Sequence, residues 1–360
     1  MSNSIGELFK LTVFGESHSP GIGLVLEGLF PGFEPDWGLV KQDLARRRPG
    51  GPLASPRKED DEIEIISGMV DGRATGAPLA ILIRNKDYKR KDYDKVKDLA
   101  RPSHVDWPAY VKYRGFNDHS GSGQFSARLT CPLVVAGSLA RQILKDQGIE
   151  VRSRIQSIYK IEDKALDYDR LSLADLDLAD PSFGVLDPDQ GQKMKEDIKK
   201  AREDKDSLGG NIEVFAFGLP VGLGEPLYDS MESRISSYVF SIPGVRSIEF
   251  GLGQVAKDMK GSDHNDPYII EEGRVKTRTN HHGGVIGGMA TGMPLIFRSS
   301  IKPTASIGKC QDTVNMKTME EARLDLRGRH DPCIVPRSLV IFESVTSLAI
   351  LDLMLLGGFI

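Results

Sequence analysis

Residues 68–83, GMVDGRATGAPLAILI, and residues 284–299, GVIGGMATGMPLIFRS, share the pattern G-x-x-x-G-x-A-T-G-x-P-L, with Thr75 answering Thr291, Pro78 answering Pro294 and Leu79 answering Leu295. A chain that contains a stretch of itself twice is constrained to a fold in which both copies find equivalent surroundings. Three looser parallels keep the same order. GLVLEGLFPG (23–32) resembles NIEVFAFGLPVG (211–222), both alternating strand-like runs ending in Pro and Gly. Each precedes a helix-like stretch, 36–48 and 229–240, and the apolar helical run 131–146 matches 344–356. Gly-rich turns between strands could look alike by composition alone, but order as well as composition repeats here. The reading is therefore a single domain of two related halves, about 8–147 and 208–357. Between them 160–207 is dense in charge, and its second part, about 188–205, reads as an exposed helix stopped by Gly209 and Gly210. With 38 Gly, 20 Pro and many short strand patterns, the fold class is α+β rather than a regular βαβ alternation.

The chain has 360 residues, with 47 Lys and Arg against 51 Asp and Glu, a formal net charge of −4. That balance argues against a general nucleic-acid binder, although it leaves room for a local cationic pocket. Cys131, Cys310 and Cys333 are too few and too scattered for a disulfide framework or a four-ligand zinc site. The opening MSNSIGELFKLTVFGESH has no apolar signal core, and the C-terminal run SLAILDLMLLGGFI contains Asp352 and reads as too short to span a bilayer. The expectation is a cytoplasmic protein without a membrane segment.

Several turns carry side chains capable of chemistry. Gly15-Glu16-Ser17-His18-Ser19 comes close to a nucleophile elbow, but Ser19 replaces the last Gly and a second strand, not a helix, follows. Two readings stay open: His18 donates a proton to a leaving group, or it is an exposed residue on a capped turn. In Arg101-Pro102-Ser103-His104-Val105-Asp106, Asp106 is placed to orient the imidazole, yet taken alone a solvated His on an X-Pro turn is the commoner case. Gly121-Ser122-Gly123-Gln124-Phe125-Ser126-Ala127-Arg128 leads into the helix at 131–146 and offers an anion both backbone N–H groups and a planar guanidinium. His281 and His282 in NHHGG invite a metal, but adjacent side chains on an extended chain face opposite ways, so a structural or ligand-contacting turn is favoured. Lys302-Pro303-Thr304-Ala305-Ser306 and Arg327-Gly328-Arg329-His330-Asp331-Pro332-Cys333 complete the set, with Asp331 a candidate base.

Arg47, Arg48, Arg101, Arg128, Lys302, Arg327, Arg329 and Arg337 all stand beside Gly, Pro or Ser turns. Arg46, Arg47 and Arg48 end the helix-like stretch 36–48, where the helix dipole alone gives some of them a structural reason. If the arginines converge without carboxylate partners they repel one another, unless a polyanionic ligand neutralises them. A ligand with phosphate and carboxylate groups fits.

Taken together, SIGELFKLTVFGESH, RRRPG, RPSHVD, the SAR loop, NHHGG, KPTAS and GRHDPC stand in the order of the chorismate synthase family, which the chain resembles over nearly its whole length. The resemblance implies a β-α-β sandwich, a homotetramer, and loss of phosphate and a proton from 5-enolpyruvylshikimate 3-phosphate to give chorismate. That 1,4-trans-elimination depends on reduced FMN, with NADPH a candidate reductant. By the same resemblance His18, supported by Ser17, serves the leaving phosphate, and His104 keeps the flavin in its active ionisation state. Asp331 assists at the flavin N5 with Ser126. Gln124, Phe125, Ser126, Gly287, Lys302, Pro303, Thr304, Ala305, Ser306 and Arg329 hold the flavin, Arg47, Arg48, Arg101 and Arg128 the substrate anions, and no metal is implied.

The chain departs from the family pattern in four places. Ser19 and Ser103 stand where many members have Gly, Gln124-Phe125-Ser126 where Arg-Ser-Ser is common, and Leu53 and Ala54 where an Arg often follows RRRPG. The last two bear on individual anion contacts. Against the lyase stand a binding protein that has lost its chemistry, which has no need of His18, His104 and Asp331 together, and a flavin oxidoreductase, which would consume reductant in proportion to product.

Overall fold

A helix that is apolar on every side can be stable in water only between other layers. Residues 335–356 form such a helix, and around it the rest of the chain is arranged. The computed structural model describes residues 3–48, 60–86, 97–178, 180–326 and 331–360. Arg327, Arg329 and His330, as well as Leu53 and Ala54, lie outside the described residues.

Two five-stranded antiparallel sheets enclose a helical layer. The first contains β1 (Ser4–Ile5), β2 (Leu11–Gly15), β3 (Gly21–Leu26), β4 (Ile63–Ser67) and β7 (Leu79–Arg84) in the order β1-β2-β3-β7-β4, and the hairpin β5 (Met69–Val70) and β6 (Arg73–Ala74) lies between β4 and β7 in the chain. The second contains β8 (Glu150–Ile158), β9 (Ile161–Glu162), β10 (Gly210–Phe217), β11 (Val245–Phe250) and β16 (Leu295–Ile301), in the order β9-β8-β10-β16-β11. Three further hairpins pair β12 (Tyr268–Glu271) with β13 (Arg274–Thr277), β14 (Val285–Ile286) with β15 (Met289–Ala290), and β17 (Gln311–Asn315) with β18 (Glu320–Leu324). The helices are α1 (Trp37–Arg47), α2 (Asp106–Lys112), α3 (Thr130–Asp146), α4 (Pro188–Glu203), α5 (Met231–Val239), the single turn α6 (Gly261–His264) and α7 (Val335–Leu356). Helix α3 packs on β2 and β3, α7 packs on β8 and β10, and the two helices pack along each other. One continuous core joins both sheets to this layer.

The repeated sequence makes repeated contacts. Thr75 N donates to Gly68 O at 3.0 Å, and Thr291 N donates to Gly284 O at 2.9 Å. Gly32 N donates to Ala74 O at 2.8 Å, and Gly222 N donates to Ala290 O at 2.9 Å. Both leading glycines are left-handed, φ +88° and +81°, and a Cβ at either would lie within 2.8 Å of the carbonyl oxygen of Pro78 or Pro294. Only glycine fits, which is why the repeat begins with one.

Helix starts follow the capping rules. Asp36 Oδ1 accepts from Gly38 N at 2.7 Å to begin α1, Asp187 does the same for Asp189 N at 2.8 Å at α4, and Ser230 Oγ caps α5 through Ser233 N at 3.1 Å. Helix α4, read from sequence as exposed, buries Gly191, Met194, Ile198 and Ala201 along one face. Helix α7 begins nine residues before the expected run at 344–356, because Pro336 is tolerated in a first turn and 337–343 continues the apolar pattern. At 22 residues it exceeds the roughly 20 that a bilayer needs. The sequence argument from length is thereby corrected. Among the described residues it is the one helix long and apolar enough to cross a membrane, and 89% of its most apolar stretch is buried inside the protein.

Every residue from Ser338 to Met354 is buried, including two carboxylates. Asp352 accepts the backbone N–H groups of Glu7, Leu8 and Phe9 at 2.8–3.1 Å, tying the first strands to the last helix. Glu343 receives Arg46 at 2.7 and 2.9 Å and Ser153 Oγ at 2.9 Å, with Arg141 3.2 Å away. Burial pushes its carboxyl up, but Arg46 and Arg141 outweigh that and hold it below the usual range. Where α3 crosses α7, a Cβ on Gly137 would lie 2.2 Å from Ser344 Cβ and 2.4 Å from its Cα. We expect Gly137→Ala to lower unfolding free energy by about 3 kcal/mol through overpacking. Urea denaturation measures this, and an unchanged midpoint would show that the helices separate freely.

Candidate active site

The turn between β2 and β3 is locked before its functional side chains are placed. Ser19 Oγ lies 2.9 Å from Glu16 O and 2.7 Å from Gly21 O, and Asn85, just past β7, donates through Nδ2 to Glu16 O (3.1 Å) and Ser19 O (2.8 Å). On this turn Ser17 and His18 are buried, His18 with 3% of its surface exposed, and Ser17 Oγ is 2.7 Å from His18 Nδ1. The reading of His18 as an exposed turn residue is excluded. Gly121 explains how the ring fits, since a Cβ there would lie 2.1 Å from His18 Cε1.

Gly121, Ser122 and Gly123 are successive left-handed residues, φ +56°, +74° and +51°, and this kink turns neighbouring groups to opposite sides. Gly121 abuts His18, Gly123 O accepts Ser17 N at 3.2 Å, and Ser122 Oγ stands 3.0 Å from His104 Nε2. The two histidines therefore flank one loop. His104 Nδ1 lies 2.8 Å from Asp106 Oδ1, so the half-buried imidazole is oriented and does not swing freely in solvent. Arg101 grips the same carboxylate with Nε and Nη2, both at 2.7 Å. Burial pushes the Asp106 carboxyl up, but hydrogen bonds from Arg101 and His104 hold it well below the usual range.

The second half closes on this turn. Lys302 Nζ donates to Ser103 O, and Arg101 Nη1 approaches Ser306 Oγ at 3.5 Å. Thr304 Oγ1 donates to Asp331 O at 2.9 Å, and the Asp331 carboxylate pairs with Arg337 at 2.6 Å. Leu99 forms an antiparallel bridge with Asn315.

Beyond Asn85 lies the arginine cluster. Arg128 Nε donates to Asn85 Oδ1 at 3.1 Å, and its Nη1 pairs with Asp61. Asp61 also takes Arg47 at 2.9 Å and Arg48 at 3.1 Å. The expectation that the arginines converge without carboxylate partners is corrected: Asp61 serves three of them and Asp106 serves Arg101. Burial raises the Asp61 carboxyl, but Arg47 and Arg128 bring it down to about 2. Among the described residues three guanidiniums share this one carboxylate, and buried Arg47 Nε has no hydrogen-bond partner. That donor set suits an added anion.

The sequence profile described as Chorismate synthase matches residues 9–355. The chorismate synthase of Methanococcoides burtonii is 41% identical over 359 residues, 99% of this chain and 97% of that protein. That of Thermococcus kodakarensis is 42% identical over 96% of each chain. A crystal structure of chorismate synthase superposes with a TM-score of 0.76 at 26% identity, covering 98% of this chain and 93% of the other. The chain belongs to the chorismate synthase family.

Most of the residues that the chorismate synthase resemblance singled out are brought together. His18, Ser17, His104, Arg47, Arg48, Arg101, Arg128, Lys302, Thr304, Ser306 and Asp331 form the connected set above. Ser126 Oγ accepts the Arg128 amide at 3.2 Å, Gln124 is half-buried, and the Phe125 ring sits 6.3 Å from that of Tyr113. Gly287 stands apart from these contacts, since its hairpin is held to Leu223 and Met231. Residues 281–284 are a turn and not an extended segment, so the opposite-face argument for His281 and His282 does not apply. Both backbone amides donate to the Asp266 carboxylate, at 2.9 and 3.1 Å. Among the described residues no group of His, Cys, Asp and Glu is arranged to hold a metal.

Two residues went unmarked in the sequence reading: Asp61, hidden in the acidic run KEDDEIE, and Asn85, at a strand end. Gly121 reads from sequence as part of an anion cradle and not as the residue that makes room for the His18 ring. An acid 13 residues after an arginine run was the only signal for Asp61. Its stabilisation is present above pH 4 and is lost as pH falls from about 4 through about 2, a contribution of about 2 kcal/mol. Asp61→Asn should remove that acid-dependent step from urea unfolding curves and, at pH 7, make stability rise more steeply with added inorganic phosphate than in the parent chain. Parallel phosphate responses would mean that the three arginines do not act as one anion site.

Proposed function

We propose that this chain converts 5-enolpyruvylshikimate 3-phosphate to chorismate and phosphate, a 1,4-trans-elimination dependent on reduced FMN, in the shikimate pathway towards aromatic amino acids. The observation that carries the reading is the 121–123 kink, which meets His18 at Gly121 and His104 at Ser122, next to the guanidiniums of Arg47, Arg48 and Arg128 gathered on Asp61. A phosphate leaving an allylic carbon needs its growing charge stabilised and a proton within reach.

Arg47, Arg48 and Arg128 hold the substrate anions. Asp61 keeps the three guanidiniums close together, so little reorganisation is needed when the ligand arrives. Ser17 fixes the His18 ring at Nδ1, and His18 delivers a proton to the departing phosphate oxygen. Arg101, assigned with the substrate arginines by resemblance, has two of its nitrogens on Asp106 in this chain. Reduced FMN, when bound, would supply the transient electron. Lys302, Pro303, Thr304, Ala305 and Ser306 would hold it with Gln124, Phe125, Ser126, Gly287 and Arg329. His104 would govern its ionisation, and Asp331 with Ser126 would manage the proton that leaves the substrate.

The same reading includes two halves related by duplication, a homotetramer, a cytoplasmic address and NADPH as candidate reductant. The matching sheet orders support the first, and family resemblance supports the others.

Anaerobic incubation with substrate and dithionite-reduced FMN should release phosphate and chorismate in equal amounts without consuming reductant beyond priming. Robust turnover with oxidised flavin, or reductant consumed mole for mole, would overturn the proposal. His104→Ala should reduce kcat by about 10²–10⁴-fold while oxidised FMN still binds. Arg128→Ala should weaken substrate binding by roughly 10²-fold, and an unchanged affinity would remove Arg128 from the anion site.

A further inference from the structure

The geometry points to Asp106 and Arg101 as positioning residues that hold His104 in a single tautomer, with hydrogen on Nδ1, so that Nε2 is the nitrogen that exchanges a proton. This rests on the catalytic part proposed above for His104. An ionised carboxylate is an acceptor only, and Asp106 Oδ1 lies 2.8 Å from His104 Nδ1. The hydrogen in that contact must therefore belong to Nδ1, whatever the charge on the ring. The partner hydrogen-bonded to one ring nitrogen decides the state of the other.

The carboxylate cannot swing away to release the ring. Asp106 Oδ2 accepts both the backbone N–H of Arg101 at 2.9 Å and its Nε at 2.7 Å, and Oδ1 accepts Arg101 Nη2 at 2.7 Å as well as His104. The side-chain contacts to Asp106 are bidentate, a geometry that a planar guanidinium provides and an ammonium does not. The intervening turn is equally constrained: His104 N donates to Arg101 O at 3.1 Å, Ser103 is left-handed at φ +57°, and Lys302 holds the Ser103 carbonyl. At the far end of the ring Nε2 meets Ser122 Oγ at 3.0 Å. A hydroxyl can donate to the neutral ring and accept from the charged one, so this contact survives proton exchange where the Asp106 contact fixes its direction. Arg101 is thus engaged inside the chain, with its third nitrogen directed at Ser306.

The test reads the tautomer directly in the full-length ¹⁵N-labelled protein, by long-range ¹H–¹⁵N correlation at alkaline pH. For His104 we expect a protonated Nδ1 and an unprotonated Nε2; the reverse pattern in the unmodified protein overturns the inference without any variant. Asp106→Ala should shift His104 towards hydrogen on Nε2, and Asp106→Glu should restore the original pattern at least in part; an unchanged spectrum in Asp106→Ala overturns it. Arg101→Gln should lower kcat at least tenfold with substrate KM within about threefold. A large rise in KM at unchanged kcat would return Arg101 to substrate binding and overturn its part. If Asp106→Ala switches the tautomer yet leaves turnover with reduced FMN intact, the tautomer assignment stands and the catalytic assignment of His104 fails. Should Asp106→Ala not fold, the parent spectrum and Arg101→Gln still decide.

Discussion

A carboxylate at the centre of a helical layer must be matched there, and Glu343 decides how the end of α1 is oriented. Burying it without a cation would cost several kcal/mol, and removing one member of such a pair typically costs about 3–5 kcal/mol. Arg46 meets it with two hydrogen bonds, so the last turn of α1 is tied to α7. Successive residues on a helix point about 100° apart. With Arg46 tied to Glu343, Arg47 is carried round to Asp61, and Arg48, past the helix end on extended backbone, reaches the same carboxylate. One run of three arginines is divided into a member held by α7 and two members of the Asp61 cluster. The position of the cluster thus depends on a buried ion pair outside it.

The two halves meet at the chemistry. Turns 16–20, 101–106 and 120–128 belong to the first half, and 302–306 and 331 to the second. Lys302 on the Ser103 carbonyl and the Leu99–Asn315 bridge join them. Hairpin turns at sheet ends tolerate insertion of polar and left-handed residues that the sheets themselves exclude. A fold built from two such sheets facing a shared helical layer can bring together turns that lie about 200 residues apart in sequence. The separation of His104 from Lys302 is an example, with only one residue between them in space.

The repeat and the helices were legible because they rest on local rules: capping by Asp36 and Ser230, and left-handed glycines that leave a visible pattern at 68 and 284. The motif turns were legible as candidates, and resemblance ordered them. What could not be read was pairing. Whether an arginine faces a ligand or a carboxylate depends on contacts across 14 residues for Arg47 and Asp61 and 67 for Arg128 and Asp61, and composition has no term for either. Exposure was similarly hidden. His18 and His104 both follow polar turn residues, yet one is buried against Gly121 and the other is clamped by Asp106.

The pairing changes the electrostatic argument instead of removing it. Two guanidiniums about 4 Å apart repel by about 4 kcal/mol at an effective dielectric constant of 20. Three unpaired ones would spread or draw in water, and a ligand would then have to gather them. A single carboxylate between them offsets much of that repulsion and holds the donors together. The arrangement resembles a site already partly neutralised by its own chain, with fixed donors of the kind a phosphate accepts from. Asp106 does the complementary thing at Arg101, where full pairing leaves an almost neutral group beside the imidazole. A carboxylate already gripped by a guanidinium is fixed in place, and it fixes the orientation of the His104 ring in turn. The two acids, one shared among three arginines and one matched to a single arginine, divide the cationic residues into a cluster on Asp61 and a clamp that aligns the His104 ring; on the proposed function the first attracts the ligand and the second serves the base.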